Sequence, residues 1–377
     1  MTTVNIPPFD ATYQYQALAA EIEKNVCAVM SGGRYIMGPQ VKEFEERFAQ
    51  YLECEQVISC NSCTDALHLA LRALKIGPGD EVITTPFSFI ATTEAIGIVG
   101  ATPVFVDVDL NTYNIDPNLI EEKITGRTKA ILPVHLYGRP CNMTAIMAIA
   151  RKYNLKVIED CAQATGAMWS GKKVGTIGDV GCFSFFPTKN LGCVGDGGAI
   201  ATSNPVIAER VEYLRRHGGK VKYQHDELGL NSRLDTVQAA VLLVKLPYVE
   251  QWNSARAAIA NYYINQLAEI KNIILPQVVQ EGKSVWNQFT IRVLEGQRDH
   301  VQKILKEKGV GTMVYYPIPL HLQHVHTNLG YSQGSLPSSE KLSHEVLSLP
   351  MFPELTVSSQ KVVTEALIQA FSVFALT

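Results

Sequence analysis

Lys189 has the most restrictive surroundings of any reactive side chain in this sequence. The aromatic run 182–186 is stopped by Pro187, the amine follows at 189, and a turn bearing Gly192, Gly195, Gly197 and Gly198 leads to a second β-rich run from Ala199. Proline and glycines punctuate strand, turn and strand, so stiff neighbours hold one amine just past a strand. Such an amine can attack a carbonyl and carry a proton. Two other features complement it. Asp160 follows the apolar run 156–159, and the polar stretch Asn61, Ser62, Cys63, Thr64, Asp65 opens a periodic helix over 66–74 behind a short strand over 57–59. A helix start of that kind exposes N–H groups and hydroxyls that suit a phosphate, and it also reads as plain N-capping by Ser62 or Thr64.

Amine, carboxylate and phosphate seat are the parts that pyridoxal phosphate chemistry needs. The amine bonds the cofactor aldehyde, the carboxylate keeps the pyridine nitrogen protonated, and N–H and OH groups hold the phosphate. Phe89 is available to stack on the ring. Taken singly, each part has an ordinary alternative, since a lone lysine is usually solvated and an aspartate after a strand often caps the next helix.

The elements that must position these residues can be read from periodicity. Helices are expected over 13–30, closed by Gly32-Gly33, and over 40–52, begun by Gly38-Pro39. From Gly77 onward short β-rich runs alternate with helical ones: 81–85, 90–99, 102–108, 119–124, 129–136, 143–153 and 156–159. Nearly continuous apolar strands in βαβ alternation imply a mostly parallel sheet covered by helices on both faces, an α/β fold. Ligands in such sheets bind beyond the strand C-termini, which selects Phe87, Phe89, His135, Glu159 and Asp160. A hairpin turn over 171–178, a helix over 205–217, a polar loop over 220–231 and a helix over 235–246 follow. A domain boundary is expected at Pro247, giving a cofactor domain over 1–247 and a smaller α/β domain over 248–377. The latter begins with a helix over 249–270 and continues with β-rich runs at 273–275, 286–294 and 313–316, a helix over 301–308 and closing helices.

Composition narrows the class. The chain has 377 residues, 46% hydrophobic and 18% charged, with net charge −3, enough for two globular domains and without the basic blocks that nucleic acid or an anionic membrane attracts. The opening MTTVNIPPFD lacks a basic segment followed by an apolar run, so no secretory signal is expected. No window reaches the roughly 18 uninterrupted apolar residues of a membrane span. Eight cysteines (Cys27, Cys54, Cys60, Cys63, Cys141, Cys161, Cys182, Cys193) sit mostly in apolar contexts, as buried thiols do in a reducing cytoplasm. Cys60 and Cys63 form the one close pair, with no second pair or histidine in register, so no metal site is expected.

The segments 158–167 (Ile-Glu-Asp-Cys-Ala-Gln-Ala-Thr-Gly-Ala) and 183–192 (Phe-Ser-Phe-Phe-Pro-Thr-Lys-Asn-Leu-Gly) together resemble the DegT/DnrJ/EryC1/StrS family of sugar aminotransferases. Segments 61–71, 229–235, 317–323 and 347–350 match its other blocks, so the resemblance covers nearly the whole chain. It implies a fold type I aminotransferase, a homodimer with shared sites, and a role in amino sugar and polysaccharide biosynthesis. By the same resemblance Lys189 bonds the cofactor and moves the proton, Asp160 pairs with the pyridine nitrogen, and Gln163 contacts the ring hydroxyl. Ser184 and the Ser62, Cys63, Thr64 turn hold the phosphate, Phe89 stacks on the ring, and Asn231 reaches the neighbouring subunit's cofactor. The implied substrates are L-glutamate and a nucleotide-linked keto sugar aminated at C3, with Arg233, Tyr315, Tyr316 and His321 as candidate sugar or diphosphate contacts. Many members carry His-Tyr before the first proline where this chain has Tyr315-Tyr316. Related readings are an aminotransferase for a cyclitol or other non-nucleotide ketone, a dehydratase branch in which histidine replaces the lysine, and a non-catalytic regulator. Lys189 argues against the dehydratase branch.

Overall fold

The computed structural model describes residues 5–219, 221 and 223–372. Helices α1 (Thr12–Gly32) and α2 (Pro39–Leu52) come first; Gly33 ends α1 in the left-handed region at φ 68° and Pro39 opens α2, each residue suited to its position. The chain then runs through β1 (Gln56–Cys60), α3 (Cys63–Ala73), β2 (Glu81–Thr84), α4 (Ala91–Ile98), β3 (Thr102–Phe105), β4 (Thr128–Leu132), α5 (Met143–Tyr153) and β5 (Lys156–Asp160). A small hairpin, β6 (Met168–Trp169) and β7 (Lys172–Lys173), precedes β8 (Val180–Ser184), β9 (Gly198–Thr202), α6 (Pro205–Leu214) and α7 (Thr236–Lys245). The rest comprises α8 (Val249–Leu267), β10 (Ile273–Ile274), β11 (Gly282–Lys283), β12 (Phe289–Val293), α9 (Arg298–Glu307), α10 (Pro337–Glu345), β13 (Val346–Leu349) and α11 (Val357–Ser372).

Seven strands form the main sheet in the order β1-β9-β8-β5-β4-β2-β3. The run from β8 to β3 is parallel, while β9 is antiparallel to both β8 and β1. Strands β2, β8 and β9 are buried at every position because helices cover both faces. One face is packed by α3, α4 and α6, the other by α2, α5 and α7. A second sheet, β10-β12-β13, is antiparallel and shares a core with α8, α9 and α11. Ile6 joins that core and pairs with Val310, so the start of the chain packs into the C-terminal unit.

Four local expectations change. The aromatic strand ends at Ser184 rather than 186, because Phe185 instead exchanges backbone bonds with Gly197 and Cys193. Segment 119–124 is not an α-helix: single 3-10 turns lie at Pro117–Leu119 and Glu121–Lys123. Of 313–316 only Met313 pairs with the small sheet, through Ser348; the sheet's third strand is β13, and two prolines (Pro317, Pro319) follow the tyrosines. The small hairpin turns at 170–171, ahead of the expected 171–178. In the polar loop 220–231, Lys220 and Lys222 lie outside the described residues, as do residues 1–4 of the opening segment. All eight cysteines are free, six of them buried, and no helix among the described residues is long and apolar enough to cross a membrane.

Candidate active site

Asp160 is the last residue of β5 and is buried. Its Oδ2 accepts from Thr92 Oγ1 at 3.0 Å and its Oδ1 from the Ala162 N–H at 3.1 Å. Thr92 stands on α4 and shares a 2.9 Å hydrogen bond with Ser88. Burial pushes the Asp160 carboxyl above its ordinary value, against the Ala162 N–H, the Thr92 hydroxyl and the positive field of Lys189.

The Lys189 loop is fixed from several sides. Phe183 and Phe185 pack edge-on against Phe48 at 5.3 and 5.4 Å, and Phe44 meets Phe185 at 5.2 Å, each pair contributing about 0.5–1.5 kcal/mol beyond area burial. Past the strand, the Lys189 N–H donates to the Phe186 carbonyl at 2.9 Å. Lys245 of α7 donates to Gly192 O at 2.8 Å, and the Val194 N–H donates to Gln238 Oε1 at 2.9 Å. Burial lowers the Lys189 amine below its ordinary value, with Cys63 and Asp160 opposing. Amine and carboxyl are thus each driven toward neutrality by desolvation and partly restored by the other, which favours a nucleophilic amine.

The start of α3 lies beside them. Ser62 caps the helix, its hydroxyl accepting the Asp65 N–H at 3.1 Å, so the capping reading is real; the other first-turn N–H groups are those a helix leaves without internal partners. A close approach brings this turn over the sheet. A Cβ on Gly198 would fall 2.4 Å from the Ser62 carbonyl carbon and oxygen and 2.8 Å from the Cys63 nitrogen. Only a glycine lets β9 pass beneath the helix start without displacement. Ser184 is the strand partner of Gly198, which sets its hydroxyl one strand away from the same turn. A helix start with free N–H groups, a buried carboxylate and a desolvated amine are a donor set that fits pyridoxal phosphate.

Gln163 is buried, accepts the Tyr137 N–H through Oε1 at 2.6 Å and lies 3.4 Å from the Tyr316 hydroxyl through Nε2. Tyr316 is driven up by burial and by the nearby Asp160 charge, which places it with the acid. Phe89 is 58% exposed, with its ring 6.2 Å from that of Tyr316. Tyr315 is joined to Tyr316 by a cis peptide, and its carbonyl accepts the Tyr137 hydroxyl. Asn231 is exposed, while its neighbour Ser232 donates to Asn61 Oδ1 at 3.0 Å. Arg233 makes no ion pair with Asp235 among the described residues, and its buried Nε has no partner. His321 is separate: it is buried with Nε2 at 3.0 Å from Glu340 and its ring beside Phe105 and Tyr331.

Sequence reasoning missed Thr92, Tyr137 and Asn190. Thr92 carried no signal beyond its place four residues after Ser88. His135 and Glu159, selected by the strand-end rule, form a different cluster with Cys161, compact enough for a metal. Its carboxylate is already taken: Glu159 accepts from His135 Nε2 at 3.0 Å, from Gly175 N at 2.8 Å, from Ile177 N at 2.8 Å and from Gly178 N at 2.7 Å. His135 Nδ1 accepts the Cys141 N–H at 3.0 Å, which assigns the proton to Nε2.

Comparison with known proteins points to one family. The family model for the DegT/DnrJ/EryC1/StrS aminotransferases matches residues 16–368. The chain is 48% identical over 374 residues, 99% of its own length and 100% of the relative's, to a "Pleiotropic regulatory protein" of Geobacillus stearothermophilus. It is 47% identical over 363 residues, 96% and 98% of the two lengths, to a dTDP-3-amino-3,6-dideoxy-alpha-D-galactopyranose transaminase of Aneurinibacillus thermoaerophilus. The crystal structure of S. venezuelae DesV in complex with a ketimine intermediate superposes with a TM-score of 0.95 at 42% identity, covering 97% of this chain and 98% of that one. The chain therefore belongs to the DegT/DnrJ/EryC1/StrS aminotransferase family and is a pyridoxal-phosphate-dependent aminotransferase.

Proposed function

We propose that the protein moves an amino group from L-glutamate to the C3 keto group of a nucleotide-linked sugar in two half-reactions. The observation that carries this reading is the meeting of the Lys189 amine, the Asp160 carboxyl and the α3 start at one end of the parallel strands. The 3-amino sugar named for the Aneurinibacillus relative supports the regiochemistry.

Bound pyridoxal phosphate supplies an electron-accepting ring that acidifies the carbon bearing the transferred nitrogen. Lys189 Nζ would hold the cofactor through its aldehyde and, as a desolvated free base, would carry the proton to be moved in each half-reaction. Asp160, held in place by Thr92 and the Ala162 N–H, would keep the pyridine nitrogen protonated. Gln163 would orient the ring hydroxyl. Ser62, Cys63, Thr64 and Ser184 would hold the phosphate, and the exposed Phe89 would be available to stack on the ring. Arg233, with its unpartnered Nε, and the Tyr315-Tyr316 pair read the sugar and its diphosphate; His321, occupied by Glu340, acts more remotely.

The sites are shared in a homodimer. Exposed Phe186, Val194, Tyr35 and Ile36 flank the lysine loop and the α7 start in sequence or by contact, apolar surface that a partner subunit would cover. Asn231, exposed in the single chain, reaches the partner's phosphate. The cofactor domain ends at Pro247, where α8 leads into the C-terminal unit. The name of the Geobacillus relative favours a regulatory reading, but a regulator has no use for a desolvated lysine beside a buried acid.

The test is direct. Purified protein should be yellow and bleach on adding glutamate; a colourless protein that takes up no pyridoxal phosphate would support the regulatory reading. A panel of nucleotide-linked keto sugars and cyclitol ketones, with product regiochemistry read by NMR, should give amination at C3 of a nucleotide sugar. Amination of the cyclitols alone would overturn the substrate assignment.

A further inference from the structure

Three asparagines with almost no exposed surface lie behind the lysine: Asn190 at 2%, Asn253 at 0% and Asn287 at 5%. They come from three parts of the chain, the lysine loop, α8 and the segment before β12. Asn190 Nδ2 donates to Asn253 Oδ1 at 2.7 Å and to Val285 O at 2.9 Å. Asn287 Nδ2 donates to Asn190 Oδ1 at 2.9 Å and to Thr188 O at 3.2 Å. Asn253 Nδ2 donates to Thr165 O at 3.0 Å.

The bonds close on themselves. Thr165 lies two residues beyond Gln163, whose Oε1 accepts the Tyr137 N–H at 2.6 Å; the Tyr137 carbonyl accepts the Asn287 N–H at 3.0 Å. The circuit therefore runs from the segment carrying Asp160 and Gln163, through α8, to the residues on either side of Lys189, and back through the C-terminal segment. The backbone is shaped to admit it. A Cβ on Gly166 would fall 2.7 Å from Asn253 Nδ2, and one on Gly138 3.0 Å from the Asn287 nitrogen.

We propose that Asn190, Asn253 and Asn287 form a positioning ring that sets Lys189 against Asp160 and Gln163. The inference rests on the cofactor roles given above for those residues. An apolar filler could hold the same loops together, but buried amides with directional partners also fix their separation, and proton transfer is sensitive to displacements of about 1 Å. Both ends of the ring fall on backbone within two residues of a site residue. The C-terminal segment thereby helps set the lysine's place.

The test uses cofactor-loaded protein. Asn253→Ala should lower kcat for the glutamate half-reaction about tenfold or more while KM stays within about twofold, and should move the pH midpoint of the visible absorption by about half a unit. Asn253→Asp, which keeps the side chain's bulk and its acceptor for Asn190 but loses the donor to Thr165, should act in the same direction. Thr202→Val, which removes a part-buried 2.9 Å bond to Asp179 O away from the ring, should lower Tm and leave midpoint and kcat unchanged. Asn253 variants with wild-type kcat and midpoint, whatever their Tm, would overturn the proposal, as would failure of both to fold, since either outcome makes the ring merely structural. A wild-type protein that takes up no pyridoxal phosphate would instead refute the cofactor roles and leave the ring without an object.

Discussion

Glu159 and Asp160 are adjacent carboxylates on one strand, both buried, and they could hardly be used more differently. Successive strand residues face opposite ways. Glu159 meets the 175–178 turn and His135, where four donors occupy its oxygens. Asp160 meets α4 and the lysine, receives one hydroxyl and one N–H, and is pushed up by burial. A saturated carboxylate stabilises the fold, and one left short of donors is available to a ligand. Burial alone does not distinguish the two roles; the donor count does.

The contrast can be broken by experiment. The largest effect expected is from Lys189→Ala, which on the proposed assignment removes both the group that holds the cofactor and the proton carrier, and should reduce turnover about 10⁴-fold or more with any donor; appreciable residual transamination would sink its assignment. Next is Asp160→Asn, expected to reduce kcat about 100-fold or more while leaving the apoprotein at least as stable at pH 7. The sign follows from linkage: a carboxyl raised above its unfolded value loses stability as pH rises from 3.8 through its folded value, and asparagine avoids that loss. The two Tm curves should therefore meet in acid. Glu159→Gln should behave oppositely, setting an amide NH2 against backbone donors and costing about 2–4 kcal/mol of stability, with kcat per folded molecule within about twofold. Calorimetry and active-site titration separate these outcomes. The smallest change is Thr92→Val. It removes a donor that lowers the Asp160 carboxyl, so the acidic limb of the pH–rate profile should move upward, with kcat falling only a few-fold.

The two carboxylates also mark where sequence reasoning stops. The placement of Asp160 and the Ser62–Cys63 turn at strand ends, and of Lys189 on the loop beyond one, was legible from local punctuation, and the parallel sheet followed from apolar runs alternating with helices. The strand-end rule selected Glu159 and Asp160 together and could not separate them, since the distinguishing donors are backbone N–H groups at 175–178 brought up by a turn. The asparagine ring was invisible for the same reason: its members touch only after three distant segments have packed. In the C-terminal unit the tyrosine run at 313–316 looked strand-like by composition, yet β13 holds the pairing position beside β12.

Strand β9 has a consequence for how the molecule is made. It is inserted between β1 and β8, pairing Cys60 with Gly198 and Ser184 with the same glycine. While a ribosome is still adding residues 61–197, β1 has no neighbour on that side, and the turn that follows it has nothing beneath it. The proposed phosphate seat is therefore completed by the last strand of the main sheet to be synthesised, through a pairing of long sequence separation that forms slowly. A nascent chain should gain cofactor affinity abruptly once β9 has emerged; until then β1, an edge strand whose one partner is β9, has both sides open to chaperones or neighbouring chains.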